Sequence, residues 1–451
     1  MELGNIKQVY FVGIGGIGMS ALARYFVHLG CVVAGYDKTK TKLTEELELE
    51  GVYVDYADDK NLIHGIFSKP KEDTLVVYTP AIPKDSPILN HFKENGFELK
   101  KRSEVLGLIS ESMFCIAIAG THGKTTTSAM VAHVLKYSGN DCTAFLGGIA
   151  TNYNSNVLYG KNNVMVVEAD EFDRSFLTLH PNIAVITSMD ADHLDIYGDK
   201  SHLDESFNLF ASQIKADGTL FFRSGLALSN GISYAAEEEA GIKAENIRVS
   251  GNKFVFDYRS STDEIKDIHL MLPGKHNVEN ATAAIAIALK LGINKEKIGA
   301  AVANFKGVKR RFEYLVNNEN HIYIDDYAHH PEELKACFAA VRQLYPNKKL
   351  TVIFQPHLFS RTRDFADDFA KVLSTVDELL LLEIYPAREK PIEGVDSVFL
   401  LDKISLENKE VCGKEYVLDY VKKVKPELVL TVGAGDIDML REPLKELLRH
   451  A

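Results

Sequence analysis

The stretch Ala119-Gly120-Thr121-His122-Gly123-Lys124-Thr125-Thr126-Thr127 combines two glycines, a lysine and a run of hydroxyls. That set suits a triphosphate: backbone amides of a glycine turn meet phosphate oxygens, Lys124 meets the outer phosphates, and the Thr125 hydroxyl meets Mg²⁺. The strict eight-residue phosphate-loop pattern fails, because Ile118 holds its first glycine position. The context supports phosphate all the same. Phe114-Cys-Ile-Ala-Ile reads as a strand and a helical pattern follows to about Tyr137, so the turn opens a helix N-terminus. The bland alternative is a Gly-Lys-Thr helix cap.

Two acidic turns follow apolar runs further on. Val164-Met-Val-Val leads into Glu168-Ala-Asp170-Glu171-Phe-Asp173, and Ile183-Ala-Val-Ile leads towards Asp190-Ala-Asp192-His193-Leu-Asp195. Mg²⁺ takes carboxylate, water and phosphate oxygens, so a carboxylate closing a strand beside a phosphate loop is the expected partner of Thr125. One such turn is ordinarily a solvated cap; two on consecutive strands point to metal, with Thr125, Glu168 and His193 as candidate ligands. His193 is the weaker candidate, since imidazole is an unusual ligand for Mg²⁺.

Nearer the start, Gly13-Ile-Gly15-Gly16-Ile17-Gly18-Met-Ser follows the run Gln8-Val-Tyr-Phe-Val, and Asp37 follows the next run. A G-x-G-x-x-G turn at a helix start brings backbone amides against a pyrophosphate. The ligand is a dinucleotide, another pyrophosphate such as a nucleotide sugar, or none if the turn is merely tight. A first domain of about 107 residues leaves little room for the two-half dinucleotide sheet. Towards the C-terminus, Asp325-Asp326-Tyr327-Ala-His329-His330-Pro331 and Phe354-Gln355-Pro356-His357 both end apolar runs. The second leads to Arg361 and Arg363, and Lys309-Arg310-Arg311 lies upstream. Guanidinium groups there can grip carboxylate or phosphate, or simply face solvent.

What must position these residues is a set of strands. Short Val, Ile and Leu runs alternating with helical patterns predict α/β architecture with parallel sheets. Three series appear, giving expected domains of residues 1–107, 108–315 and 316–451: a small Rossmann-like domain, a central P-loop ATPase-like domain and a C-terminal Rossmann-like domain. The first series is read as running on to the segment around Leu106, the second as ending in a helix from Asn277 to Leu291, and residues 225–270 as strand-like but unassigned. The net charge of −12 without a basic block argues against binding nucleic acid through phosphates. No apolar run reaches about 18 residues and no leader is evident, so a cytoplasmic protein without membrane insertion is expected. The five cysteines lack CxxC spacing, which fits a reducing compartment.

In their order along essentially the whole chain, these motifs resemble the Mur ligase family of peptidoglycan synthesis. The resemblance implies that the shortened loop Gly120 to Thr126 binds ATP and that Glu168 and His193 hold Mg²⁺. It also places Asn280, within His276-Asn277-Val-Glu-Asn280, near the adenine, sets Arg311 against nucleotide phosphate, and makes Asp326 a ribose contact. Gly15, Gly16, Ile17, Gly18 and Asp37 would then serve the UDP sugar, and Tyr327, His329, Arg361 and Arg363 the amino acid. Later-acting relatives carry a lysine fourteen or fifteen residues past the metal histidine, where this chain has Ser206-Phe207-Asn208. That absence is shared with members that add L-alanine to UDP-N-acetylmuramate. Leu358 departs from the arginine expected after His357, leaving Arg361 to hold the alanine carboxylate. The implied chemistry is an acyl phosphate formed from ATP and then attacked by L-alanine, with Lys124, Glu168, His193 and Arg361 as the catalytic set, and with the third domain closing to exclude water. A muramoyl-peptide ligase of the same family is the nearest alternative. A nicotinamide-dependent oxidoreductase, or a nucleotide-binding switch without turnover, are readings from other classes. Choice among L-alanine, L-serine and glycine, and the oligomeric state (monomer or homodimer), stay open.

Overall fold

In the computed structural model, residues 3–190, 197, 199–251, 253–387 and 389–449 are described. They form three sheets. The first has order β3-β2-β1-β4-β5, built from Gln8–Val12 (β1), Val32–Tyr36 (β2), Tyr53–Asp55 (β3), Thr74–Tyr78 (β4) and Glu98–Lys101 (β5). Its neighbours are all parallel. Val9, Tyr10, Phe11 and Val12 are all buried, so β1 reads as a continuous apolar run rather than an alternating one, as strands covered on both faces do. This sheet holds five of the six strands of a dinucleotide fold in that fold's own order, more than the short domain suggested. The segment around Leu106 is no strand: it is the helix Arg102–Ser112, which follows β5 directly.

The second sheet has ten strands in the order β15-β14-β13-β12-β11-β10-β6-β9-β7-β8. Phe114–Ala119 (β6), Val164–Glu168 (β9) and Ile183–Ile186 (β10) form its parallel centre. Thr143–Ala150 (β7) and Ser155–Leu158 (β8) extend it on one side. Thr219–Arg223 (β11), Ile232–Ala236 (β12), Ile242–Ser250 (β13), Lys253–Arg259 (β14) and Glu264–Leu270 (β15) extend it on the other, which assigns the segment the sequence left open. The expected late helix is present as Lys275–Lys290.

The third sheet has order β16-β17-β21-β18-β19-β20, from Glu313–Asn317 (β16), Ile322–Asp326 (β17), Leu350–Phe354 (β18), Glu378–Leu381 (β19), Lys409–Val411 (β20) and Leu428–Val432 (β21). Only β16 runs antiparallel to its neighbour.

The chain divides into two compact units. One comprises residues up to Ile247 with Val255–Leu270 and Val278–Lys306; the other comprises Arg248–Phe254, Met271–Asn277 and the chain from Gly307 on. Within the first unit a single apolar core runs from the first sheet (Val9, Phe11) through helix Ile17–His28 (Phe26) to the second sheet (Phe145, Met165). Arg24 is 6% exposed there, and its guanidinium reaches Glu50 at 2.9 Å, Glu46 at 3.1 Å and Asn156 at 2.7 Å. A charge so placed is tolerated because each of the three guanidinium nitrogens meets an acceptor, two of them on carboxylates.

Candidate active site

The loop after β6 is built by two glycines whose positive φ would strain any side chain. Gly120 (φ +132°) lies against Thr187 and Ser188, and Gly123 (φ +82°) caps the helix Lys124–Ser138 with Asn280 Oδ1 2.9 Å from where a Cβ would stand. Asn280, expected near the adenine, is therefore packed on the loop. The turn is buttressed from the end of β10. The single proton of the Thr187 hydroxyl is shared between the carbonyls of Ala119 and His122, and Ser188 Oγ accepts the His122 amide at 2.7 Å and lies 2.9 Å from Thr121 Oγ1. The His122 ring stands 3.7 Å from Asp190, and Thr126 is buried in the first helical turn.

Lys124 is only 13% exposed. Its Nζ donates to the Gly120 carbonyl at 2.6 Å and sits 2.7 Å from Glu171, itself 1% exposed. Burial works against the ammonium charge, but Glu171, Asp170 and Glu168 outweigh it and hold the lysine pKa above its ordinary value. A cation fixed at a helix N-terminus is what a transferring phosphoryl group requires.

Thr125 Oγ1 lies 3.1 Å from Glu168 Oε1, and Glu168 Oε2 accepts the Gly147 amide at 3.0 Å. A hydroxyl beside a carboxylate whose second oxygen is already satisfied fits a hard divalent ion completed by water and phosphate. Among the described residues no group of three or more His, Cys, Asp or Glu is gathered for a metal. His193, with Asp192 and Asp195, lies outside the described residues.

In the glycine turn of the first sheet, the Gly15 amide donates to Asp37 Oδ2 at 2.8 Å, and a Cβ on Gly15 would meet the same oxygen at 2.8 Å. Asp37 also accepts the Thr39 amide at 3.0 Å. Its carboxylate closes the turn, whereas a dinucleotide would need it to bind a ribose. Gly16 is the N-cap of helix Ile17–His28; the Ile17 side chain is exposed while its carbonyl accepts Asn156 Nδ2 at 2.7 Å. A Cβ on Gly18 would lie 2.6 Å from Arg102 Nη1.

In the second unit, the Asp326 carboxylate accepts the Phe312 amide at 2.6 Å and the Ala328 amide at 2.7 Å. Burial raises its pKa to about 6, against the pull of Arg311 and these amides. Both residues flanking Arg311 have positive φ, Arg310 at +61° and Phe312 at +48°, so Asp326 holds a strained segment that presents Arg311. The guanidinium groups of Arg310 and Arg311 stand 5.0 and 5.2 Å from the Tyr327 ring centroid. His329 Nδ1 lies 2.9 Å from the Tyr327 carbonyl, and burial, reinforced by Arg361, outweighs Glu333 and lowers its pKa. Arg363 is half exposed and bonded to the adjacent Asp364 at 2.7 Å.

Comparison with known proteins finds relatives along the whole chain. Residues 8–113 match the model of the Mur ligase family catalytic domain, 118–288 that of the Mur ligase middle domain, and 310–435 that of the Mur ligase glutamate ligase domain. A UDP-N-acetylmuramate–L-alanine ligase of Christiangramia forsetii is 51% identical over 100% of this chain and 99% of its own, and one of Flavobacterium psychrophilum is 52% identical over 99% of each. The chain belongs to the Mur ligase family. The crystal structure of a UDP-N-acetylmuramate–alanine ligase from Thermotoga maritima superposes with a TM-score of 0.82 at 28% identity, covering 98% of this chain and 99% of that one. A murein peptide ligase from Psychrobacter arcticus shares the fold, with a TM-score of 0.70 at 21% identity over 99% of each chain. Membership of this family sets aside the nicotinamide oxidoreductase reading of Gly13 to Gly18.

Some residues of this Mur ligase were not singled out by motif reading. Glu171 sat inside the acidic run Glu168 to Asp173 but was not separated from it, since nothing local says which carboxylate faces Lys124. Thr187, Ser188 and Gly147 carry no pattern, although the first two directly follow a strand, which is where sheet ligands gather. Arg102 lies beside Gly18 only because β5 leads straight into its helix.

Proposed function

We propose that this chain joins L-alanine to the lactyl carboxylate of UDP-N-acetylmuramate at the expense of ATP, yielding ADP, phosphate and UDP-N-acetylmuramoyl-L-alanine for peptidoglycan synthesis. The observation that carries this reading is the near-complete likeness, at 51%, to the Christiangramia ligase of that activity, coupled to a buried, charged Lys124 at a phosphate loop.

A carboxylate oxygen of the lactyl group attacks the γ-phosphorus of ATP, the bond to the ADP oxygen breaks, and an acyl phosphate results. The L-alanine amine then attacks the acyl carbon through a tetrahedral intermediate, loses a proton and expels phosphate. Two anions must meet in the first step, so positive charge has to be in place beforehand. Lys124 supplies it towards the outer phosphates, after exchanging Glu171 for a phosphate oxygen. The amides from Gly120 to Thr126 bind the phosphate chain. Thr125, Glu168 and His193 are the residues that would hold Mg²⁺, which when bound would supply positive charge against the transferring phosphoryl group. Asn280 and Asp326 serve the nucleoside, and Arg311 a nucleotide phosphate. The amides of Gly15 to Gly18 cradle the UDP pyrophosphate, with Asp37 shaping that turn. Tyr327, His329, Arg361 and Arg363 form the amino-acid pocket, Arg361 gripping the carboxylate. No helix among the described residues is long and apolar enough to span a membrane; the cytoplasmic setting is proposed from the nucleotide substrates of the reaction.

The test is phosphate release from Mg·ATP with UDP-N-acetylmuramate, with and without L-alanine. Release that needs all three and disappears in Lys124→Ala is expected. Turnover with UDP-N-acetylmuramate and a free L-alanyl tripeptide, but not with L-alanine, would move the enzyme to the recycling branch, and no ATP turnover in any combination would overturn the reading.

A further inference from the structure

Arg361 lies on the short helix Phe359–Asp364, and that helix has no cap of its own. Its N-cap is Leu358, whose side chain accepts nothing and whose φ is +70°, a conformation an aliphatic residue seldom adopts. Ordinarily a serine, threonine or aspartate at that position would accept an early helical amide. Here the acceptor comes from 29 residues further along the chain. Glu389 Oε2 accepts the Ser360 amide at 3.0 Å, and Glu389 Oε1 accepts the Ser360 hydroxyl.

The segment carrying Glu389 is strapped to the same place by its backbone. Leu358 N donates to the Tyr385 carbonyl at 3.0 Å and Tyr385 N to the Pro356 carbonyl at 2.9 Å, while the His357 and Tyr385 rings stack at 5.8 Å. The His357 ring in turn meets His329 edge to face at 5.6 Å, and Arg361 is close enough to His329 to oppose its protonation. From β18 onward, then, the direction of the Arg361 helix depends on a strained residue and a borrowed carboxylate.

We infer that Glu389 is a positioning residue for amino-acid recognition: it caps the Arg361 helix from a distance, and so sets how well the guanidinium meets the carboxylate of the incoming amino acid. This rests on the ligase reading above. The role assigned to Glu389 is exercised through Ser360 and the helix, not through a substrate contact of its own.

The experiment is steady-state kinetics on the full chain, varying each substrate in turn, for the wild type, Glu389→Ala, Glu389→Gln and Ser360→Ala, with hydrogen exchange of residues 359–364 alongside. In Glu389→Ala, KM for L-alanine is expected to rise about tenfold, the scale of one lost helix cap, with kcat and the other KM values within about twofold. Glu389→Gln, which keeps one acceptor, and Ser360→Ala, which keeps the amide contact, should each show a smaller rise. The double variant Ser360→Ala/Glu389→Ala should be no worse than Glu389→Ala, because both act through one contact. Amides of residues 359–364 should exchange faster in Glu389→Ala.

Unchanged exchange would show that Glu389 does not hold the helix. Faster exchange with an unchanged KM for L-alanine would show that the cap does not govern recognition. An equal loss for all three substrates would show a general structural role, and each of these overturns the inference. If the wild type itself shows no saturation by L-alanine, the ligase reading falls and this inference with it, a result distinct from any defect confined to the variants.

Discussion

Two glycine turns in this protein look alike in sequence and differ in electrostatics. Gly13 to Gly18 and Gly120 to Lys124 each follow the first strand of their sheet, a strand with parallel neighbours, and open a helix. The first is flanked by both signs: Asp37 takes the Gly15 amide at 2.8 Å, and Arg102, which belongs to a separate helix, stands 2.6 Å from where a Cβ on Gly18 would lie. In the second, the turn carries its own cation, buried and matched by Glu171 at 2.7 Å. A ligand in the first turn finds amides and a shaped surface, which suffices to hold an unreacting pyrophosphate. A ligand in the second finds a poised charge, which a transferring phosphoryl group needs. Glycine spacing therefore reports that backbone approaches phosphate, and the side chain that follows reports whether chemistry is done there.

Variants at the two turns should separate these roles, and the largest effect is expected at Lys124. Lys124→Ala should lower kcat at least about a thousandfold with little change in KM for UDP-N-acetylmuramate, measured by coupled ADP release; comparable turnover would end the distinction between the turns. Glu171→Gln leaves a buried ammonium short of its counter-ion, so a loss of about 3 kcal/mol in unfolding free energy is expected. Most of it should return with saturating Mg·ATP, whose phosphate replaces the carboxylate, and thermal melts with and without nucleotide decide this. Gly18→Ala pushes a methyl against the movable end of Arg102, so stability should hardly change, while KM for UDP-N-acetylmuramate rises about tenfold with KM for ATP unaltered. Asp37→Asn keeps an acceptor for the Gly15 amide and should cost no more than about 1 kcal/mol in urea unfolding; a larger loss would mean that the charge itself shapes the turn.

The third sheet supplies a pH test that neither turn can mimic. The folded-state pKa of Asp326 is raised to about 6 from an ordinary 3.8, so between those values the native state binds more protons than the unfolded chain. Its contribution to stability is then greatest at low pH and falls as pH rises through that window. Asp326→Asn should remove this slope, measured as the difference in urea midpoint between wild type and variant from pH 4 to 6.5.

Much of the fold was legible because parallel strands buried on both faces appear as unbroken apolar runs, as at Gln8–Val12, Val164–Glu168 and Leu428–Val432. Strands with mixed burial left a weaker trace. Tyr53–Asp55 and Ile242–Ser250 alternate or lie open to solvent, and Leu106 was apolar for a helix rather than a strand. The site divides in the same way. Lys124, Thr125 and Glu168 stood out because each follows a strand within a recognisable turn. Glu171, Thr187, Ser188 and Glu389 did not, being ordinary residues made specific by what they meet.

By itself the sequence determined that this is an α/β protein with a phosphate loop, an acidic strand end beside it and a glycine turn for a second phosphate ligand. These are local facts, written in burial period and in residue types that only certain backbones tolerate. The tertiary structure alone decided which carboxylate neutralises Lys124, that Asp37 closes its own turn, that Asp326 braces the strained segment around Arg311, and that a glutamate 29 residues away caps the helix of Arg361. Those pairings join distant parts of the chain, and a buried charge accepts whichever partner the packing brings within about 3 Å, whatever its position in sequence.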